Sequence, residues 1–160
     1  MAGRYWLAVM SEENLNIVLT RQVFGFHSRM GGVLSPQVTP GDKIIVYVTE
    51  RECSEYCGSF AAVLEIAGPW RESPGPTWPD EVREGKVKYD PVVDVKVLAK
   101  GKLRLDEVAG ELGKLLGFEI KSGRDIRRVY LRQRSRLARP LPEAAGRLIE
   151  EKLLQLTKKH

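Results

Sequence analysis

The stretch "TPGDKIIVYVT", residues 39–49, decides how the rest of the chain reads. Pro40 and Gly41 are turn residues, since proline presets one turn dihedral and glycine tolerates positive φ. Directly after them, "IIVYV" (44–48) is an unbroken β-branched and aromatic run, the composition of a strand. It is far too short to cross a membrane. Residues 50–58 are acidic and polar, which predicts a hairpin loop. "SFAAVLEIAG" (59–68) then resumes as a strand, antiparallel to its predecessor across that hairpin.

Working outward, "RYWLAVM" (4–10) reads as a first strand. Ser11 follows at an N-cap position, with Glu12 and Glu13 in the first turn, where the helix dipole favours anions. Leu15, Val18 and Leu19 give that helix one apolar face, and it should end near Arg21. "VFGF" follows as a turn or short extended segment. "PWRESPGPTWPDE" (69–81) holds four prolines and is predicted to be neither helix nor central strand. "YDPVVDVKVLA" (89–99) alternates like a strand, and Asp106 is the predicted cap of a helix with Val108, Leu112, Leu115 and Leu116 on one side. "RRVYLR" (127–132) reads as a last short strand. Pro142 and Glu143 open a final helix, with Ala145, Leu148, Ile149, Leu153 and Leu156 facing inward. Short strands joined by hairpin-length connections predict an α+β fold: a mixed β-barrel of about five to six strands with surrounding helices, rather than a doubly wound sheet.

The 160 residues are most simply one domain, 1–160. With 42% hydrophobic and 29% charged residues, the composition is that of a globular protein and argues against wholesale disorder. "MAGRYWLAVM" has no signal-peptide layout, so a cytoplasmic protein with no membrane partner is expected. No GxGxxG follows a strand and no GxxxxGK[ST] occurs, so no nucleotide cofactor is expected. Cys53 and Cys57, in "CSEYC", have neither the CxxC spacing nor a nearby histidine to complete a zinc site; they read as structural thiols or a disulfide, with no metal. His27 and the terminal His160 are the only histidines, which makes a His-dependent triad hard to assemble.

Charge is unevenly placed. The chain carries +5 overall, but "RDIRRVYLRQRSRLAR" (124–139) has seven arginines against one aspartate, leaving the remainder close to neutral. Arg132, Arg134, Arg136 and Arg139 in this stretch are candidates for phosphate contacts, since arginine suits bidentate phosphate binding and polyanions release counterions on neutralisation. The other reading is a solvated face paired to carboxylates elsewhere.

Aromatic residues supply a second candidate feature. In "RQVFGFHSRM" (21–30), Phe24 and Phe26 flank Gly25 amid Arg21, His27 and Arg29. They either tuck into a minor core or hold a flat ring beside a phosphate, with Gly25 allowing close backbone approach. Trp6 reads as core of the first strand, whereas Trp70 and Trp78 sit in the proline-rich segment. Any of these can wall a slot for an unstacked base. The only asparagines, Asn14 and Asn16, cluster at the start of the first helix, and an amide can both donate to and accept from a base edge.

Together, "YWLAVMSEENLNIVLTRQVFGF", "VTPGDKIIVYV", "GSFAAVLEIAGPW" and "RLARPLPEAAGRLIEEKL" resemble the EVE domain family of the PUA-like superfamily, over roughly Arg4 to Leu156. The resemblance implies the mixed barrel reached above. Through the related YTH domains, which hold a methylated adenine in an aromatic cage, it also implies a site for a base in DNA or RNA. On that basis Phe24 falls where many relatives have tryptophan, Asn14 where a polar residue meets the base edge, and Trp70 or Trp78 in the segment supplying the second wall. The stretch around Arg134 and Arg136 falls near the phosphate surface. Phenylalanine at 24 offers a smaller face and no N–H donor.

The expectation is therefore a non-enzymatic nucleic-acid-binding domain without cofactor or metal. The alternatives are a small-molecule or nucleotide-handling enzyme on the same barrel, drawing on Glu12, Glu13 and His27, and a protein-interaction module that uses the Trp–Pro loop.

Overall fold

A computed structural model describes residues 3–117, 131 and 137–158. Five strands form one mixed sheet: β1 (Tyr5–Met10), β2 (Val23–His27), β3 (Lys43–Val48), β4 (Ser59–Ile66) and β5 (Tyr89–Arg104), in the order β1-β3-β4-β5-β2. β1 and β3 run parallel, and the other neighbours are antiparallel. β5 is sixteen residues long and changes partner partway. Its residues 95–104 pair with β4, while Tyr89 to Asp94 pair with β2. That change of partner curls the sheet into a half-barrel and brings β2 round to its far edge. The strands expected at 4–10, 44–48, 59–68 and 89–99 are present, and β5 runs beyond the alternating stretch read from the sequence.

Helices flank the sheet: α1 (Glu12–Arg21), α2 (Ser28–Leu34), α3 (Pro79–Glu84), α4 (Leu105–Leu116) and α5 (Glu143–Lys158). Ser11 caps α1 by accepting the Asn14 N–H, as its position predicted. Three details differ from the sequence reading. "VFGF" is a true strand, because β5 supplies the partner an isolated segment lacks. The proline-rich segment ends in α3, whose first residue is its last proline, a ring already set to helical φ. Arg104, not Asp106, stands at the N-cap of α4; Asp106 lies in its first turn. The expected strand at 127–132 lies outside the described residues except for Leu131, which is buried.

The central strands β3 and β4 bury both faces, which is why "IIVYV" shows no alternation. On the outer face Tyr5, Leu7, Ile45, Tyr47 and Phe60 pack under α4 and α5. On the inner face Trp6, Ile44, Val46, Leu64, Phe24 and Trp78 pack with Leu15 and Val18 of α1 and Leu34 of α2. Gly146 lets α5 lie directly on the Tyr5 ring, which a Cβ there would overlap. Cys53 and Cys57 form a disulfide in the β3–β4 loop. Among the described residues no helix is long and apolar enough to cross a membrane, and no group of three or more His, Cys, Asp or Glu side chains could hold a metal ion.

Candidate functional site

The inner face is not completely filled. A cavity of about 180 Å³ opens between β1, α1, β2 and α3, lined among others by Met10, Asn14, Phe24, His27, Trp78 and Tyr89. A dry cavity of roughly 150 Å³ holds one benzene-sized ring, whereas drug-sized ligands need roughly 300 Å³ or more. The space therefore suits one flat ring system. Gly25, Val18, Met30 and Leu137 also line it. Methionine side chains at such a border adapt to what enters, having several rotatable bonds and no branching.

Its walls are held by buried carboxylates. Glu81 is fully buried and accepts four backbone N–H groups: Thr77 and Trp78 on Oε1, Lys88 and Tyr89 on Oε2. One side chain thereby fixes both aromatic walls, and the Trp78 and Tyr89 rings meet edge to face at 5.2 Å. Glu12 clasps the β3–β4 loop, accepting the N–H groups of Ser54, Glu55 and Tyr56 and the Ser54 hydroxyl. Burial pushes the Glu12 carboxyl up, but those donors outweigh it and hold the group below its ordinary value.

The polar centre is Asn14, only 5% exposed. Its Nδ2 donates to the Tyr89 hydroxyl at 3.0 Å, and that hydroxyl donates to Asp80 Oδ2 at 2.6 Å. Lys88 Nζ lies 3.3 Å from the same carboxylate oxygen. Burial raises the Asp80 carboxyl, but donation from Tyr89, Lys88 and Asn14 prevails and holds it low. Burial, and then the bond to Asp80, push the Tyr89 phenol well above its ordinary value, so it keeps its proton. Asn14 Oδ1 is buried without a partner among the described residues.

Of the residues singled out in the sequence, Asn14, Phe24, Gly25 and Trp78 meet at this cavity. Phe24 is 1% exposed, so it forms floor more than open wall. A Cβ on Gly25 would lie 3.2 Å from atoms of Tyr89, Pro91 and Val92, so the close approach this glycine permits is to β5. Phe26 and Trp70 pack elsewhere: Phe26 sets its edge on Phe24 at 4.9 Å and stacks on Trp70 at 5.9 Å, and the Trp70 indole N–H donates to the Val38 carbonyl. Trp6 is fully buried, its indole N–H on Asp42. Arg139 is exposed, while Arg132, Arg134 and Arg136 lie outside the described residues. Leu137, bonded directly to Arg136, lines the cavity. Of the side chains weighed for catalysis, Glu12 is committed to the loop, Glu13 pairs with Arg83 at 2.6 Å, and His27 lines the cavity. Sequence reasoning missed Tyr89, Asp80 and Glu81. The Asn14–Tyr89 contact spans 75 residues and leaves no local signal.

A curled mixed sheet flanked by helices, with a ring-sized aromatic hollow at the start of the first helix, defines a PUA-like barrel. The EVE domain family profile matches residues 4–152, most of the chain, and the protein belongs to that family. A UPF0310 protein of Saccharolobus solfataricus is 27% identical over 158 residues, covering 92% of this chain and 93% of that one. The Mmi1 YTH domain in complex with RNA superposes with a TM-score of 0.63 at 9% identity, over 99% of this chain and 82% of that one. The Pho92 YTH domain in complex with m6A gives 0.57 at 16% identity, over 94% and 86%. At such identities the likeness is one of fold.

Proposed function

We propose that this protein is a nucleic-acid-binding domain that takes one unstacked base, plain or modified, into the cavity beside Asn14. The observation that carries this reading is the combination of a ring-sized hollow with a buried amide whose carbonyl has no partner among the described residues. Aromatic faces supply stacking, worth about 1–3 kcal/mol per base, and the amide supplies edge contact. Trp78 and Tyr89 are the rings best placed for it. Support also comes from the fold shared with YTH domains, one solved with RNA and another with m6A. Affinity would come from the arginines of 124–139, whose C-terminal end reaches the cavity at Leu137. The domain would act by binding alone, with no cofactor.

The test is a titration of short single-stranded DNA and RNA probes, each bearing one plain, methylated or hydroxymethylated base, over a range of salt. Base-dependent affinity with a steep salt slope is expected. Replacing Arg134 and Arg136 by alanine should flatten that slope and weaken all probes alike. Binding to no probe, or an unchanged slope together with indifference to the base, would end the proposal.

A further inference from the structure

Asn14, Tyr89 and Asp80 form a chain with one consistent arrangement of protons. Asp80 is a carboxylate beside the Lys88 ammonium, and a carboxylate only accepts. The single Tyr89 hydroxyl hydrogen is therefore committed to Asp80 Oδ2, 2.6 Å away. Toward Asn14 the phenol can offer only lone pairs. The amide must then turn its NH2 group to Tyr89, as the 3.0 Å contact places it. The reverse orientation would set two acceptors against each other. What remains is the Oδ1 carbonyl, buried at the cavity and without a partner among the described residues. A free amide serves equally as donor or acceptor; this one has been deprived of the choice.

We infer that Tyr89 and Asp80 are positioning residues that lock the Asn14 amide as an acceptor, so that the cavity selects a base whose exocyclic amine carries an N–H. The inference rests on the base-binding reading above and narrows it. Adenine and cytosine carry such an amine, and so does guanine at N2. One methyl group on that amine leaves an N–H to donate, and two leave none. An edge offering only acceptors would face the Asn14 carbonyl with no hydrogen between them, and a buried acceptor left unmatched is costly.

Single-stranded probes differing at one position test this: adenine, N6-methyladenine, N6,N6-dimethyladenine, unsubstituted purine and an abasic site. The first two should bind about tenfold more tightly than dimethyladenine and purine. Because dimethyladenine is larger than adenine and purine smaller, a loss shared by both tracks the N–H and not the size. Asn14→Ala and Tyr89→Phe should bring these ratios close to one while leaving salt-sensitive binding in place. A thermal melt establishes that each variant is folded; should Tyr89→Phe unfold, the wild-type series carries the test. Equal affinity for probes with and without the N–H, or a ratio preserved in folded Tyr89→Phe, overturns the lock. An abasic probe bound as well as the others overturns the base-binding reading itself. Base-dependent affinity with a ratio near one leaves that reading standing and removes only the lock.

Discussion

The two faces of the same strands are finished in opposite ways. On the outer face a hollow of about 10 Å³ is lined, among the described residues, only by apolar side chains such as Leu7, Phe60 and Ile149. That is at the lower limit for holding even one water, which needs roughly 10–15 Å³. A buried carboxylate there is engaged on both sides: Glu150 accepts from the Tyr5 hydroxyl at 2.5 Å and from Lys43 at 2.8 Å, tying α5 to β1 and β3. On the inner face a cavity of about 180 Å³ persists, and the Asn14 carbonyl beside it has no partner among the described residues. One sheet thus carries a face closed for stability and a face left open at a cost. Unmet polar groups and unfilled volume are what a binding site looks like before its ligand arrives.

The largest effect expected of a test of this contrast is on the closed face. Phe60→Ala removes a ring that is 1% exposed and should cost about 3–5 kcal/mol of folding stability, read by chemical denaturation. The protein that remains folded should keep its base preference. A shifted preference would show that the faces are coupled.

Tyr5→Phe probes the same face more gently. It withdraws one donor from the buried Glu150 carboxylate, leaving Lys43, and should cost about 1–3 kcal/mol with ligand affinity unchanged. Stability equal to wild type would mean that the polar tie contributes nothing.

On the open face the expectation inverts. Asn14→Ala loses one bond to Tyr89 but removes the unmatched carbonyl and gains helix propensity, so stability should stay within about 1 kcal/mol. Affinity for the preferred base should nonetheless fall about tenfold. A large loss of stability instead would recast Asn14 as a structural residue.

The smallest effect is on the acid side. The Glu12 and Asp80 carboxyls, both on the inner side, sit below their ordinary values. Groups depressed in this way stabilise the fold fully above their unfolded values and cease to do so as pH falls through the lower folded ones. Thermal melts should therefore soften below about pH 4. Glu12→Gln should flatten part of that decline, because the amide retains fewer acceptor sites for the loop N–H groups and does not titrate. An acid decline of unchanged steepness would place its origin elsewhere.

Much of the scaffold was legible in order along the chain. The turn at Pro40–Gly41, the strands on either side of the 50–58 loop, the Ser11 cap and the final helix are local patterns, each set by neighbours within a few residues. So were the composition of the wall, in its tryptophans and phenylalanines, and the candidacy of Asn14. What local pattern could not rank was which aromatic goes where. Trp70 and Trp78 share one proline-rich segment, yet Trp70 packs on Phe26 while Trp78 reaches the cavity, because Glu81 ties Trp78 to the start of β5. Phe24 and Phe26 likewise became a buried strand only because β5 lay alongside to pair with them.

The sequence by itself determined the periodicities, the caps and the uneven charge, since each of these is encoded in residues that touch along the chain. Only the tertiary structure decided the site. Bending β5 from β4 to β2 brought Tyr89 to Asn14, 75 positions away, and Asp80 beside both. An amide is ambivalent until its partners are known, and its partners here are set by that bend. The identity of Asn14 can be read from its letter, but its role as an acceptor depends on a proton held between Tyr89 and Asp80.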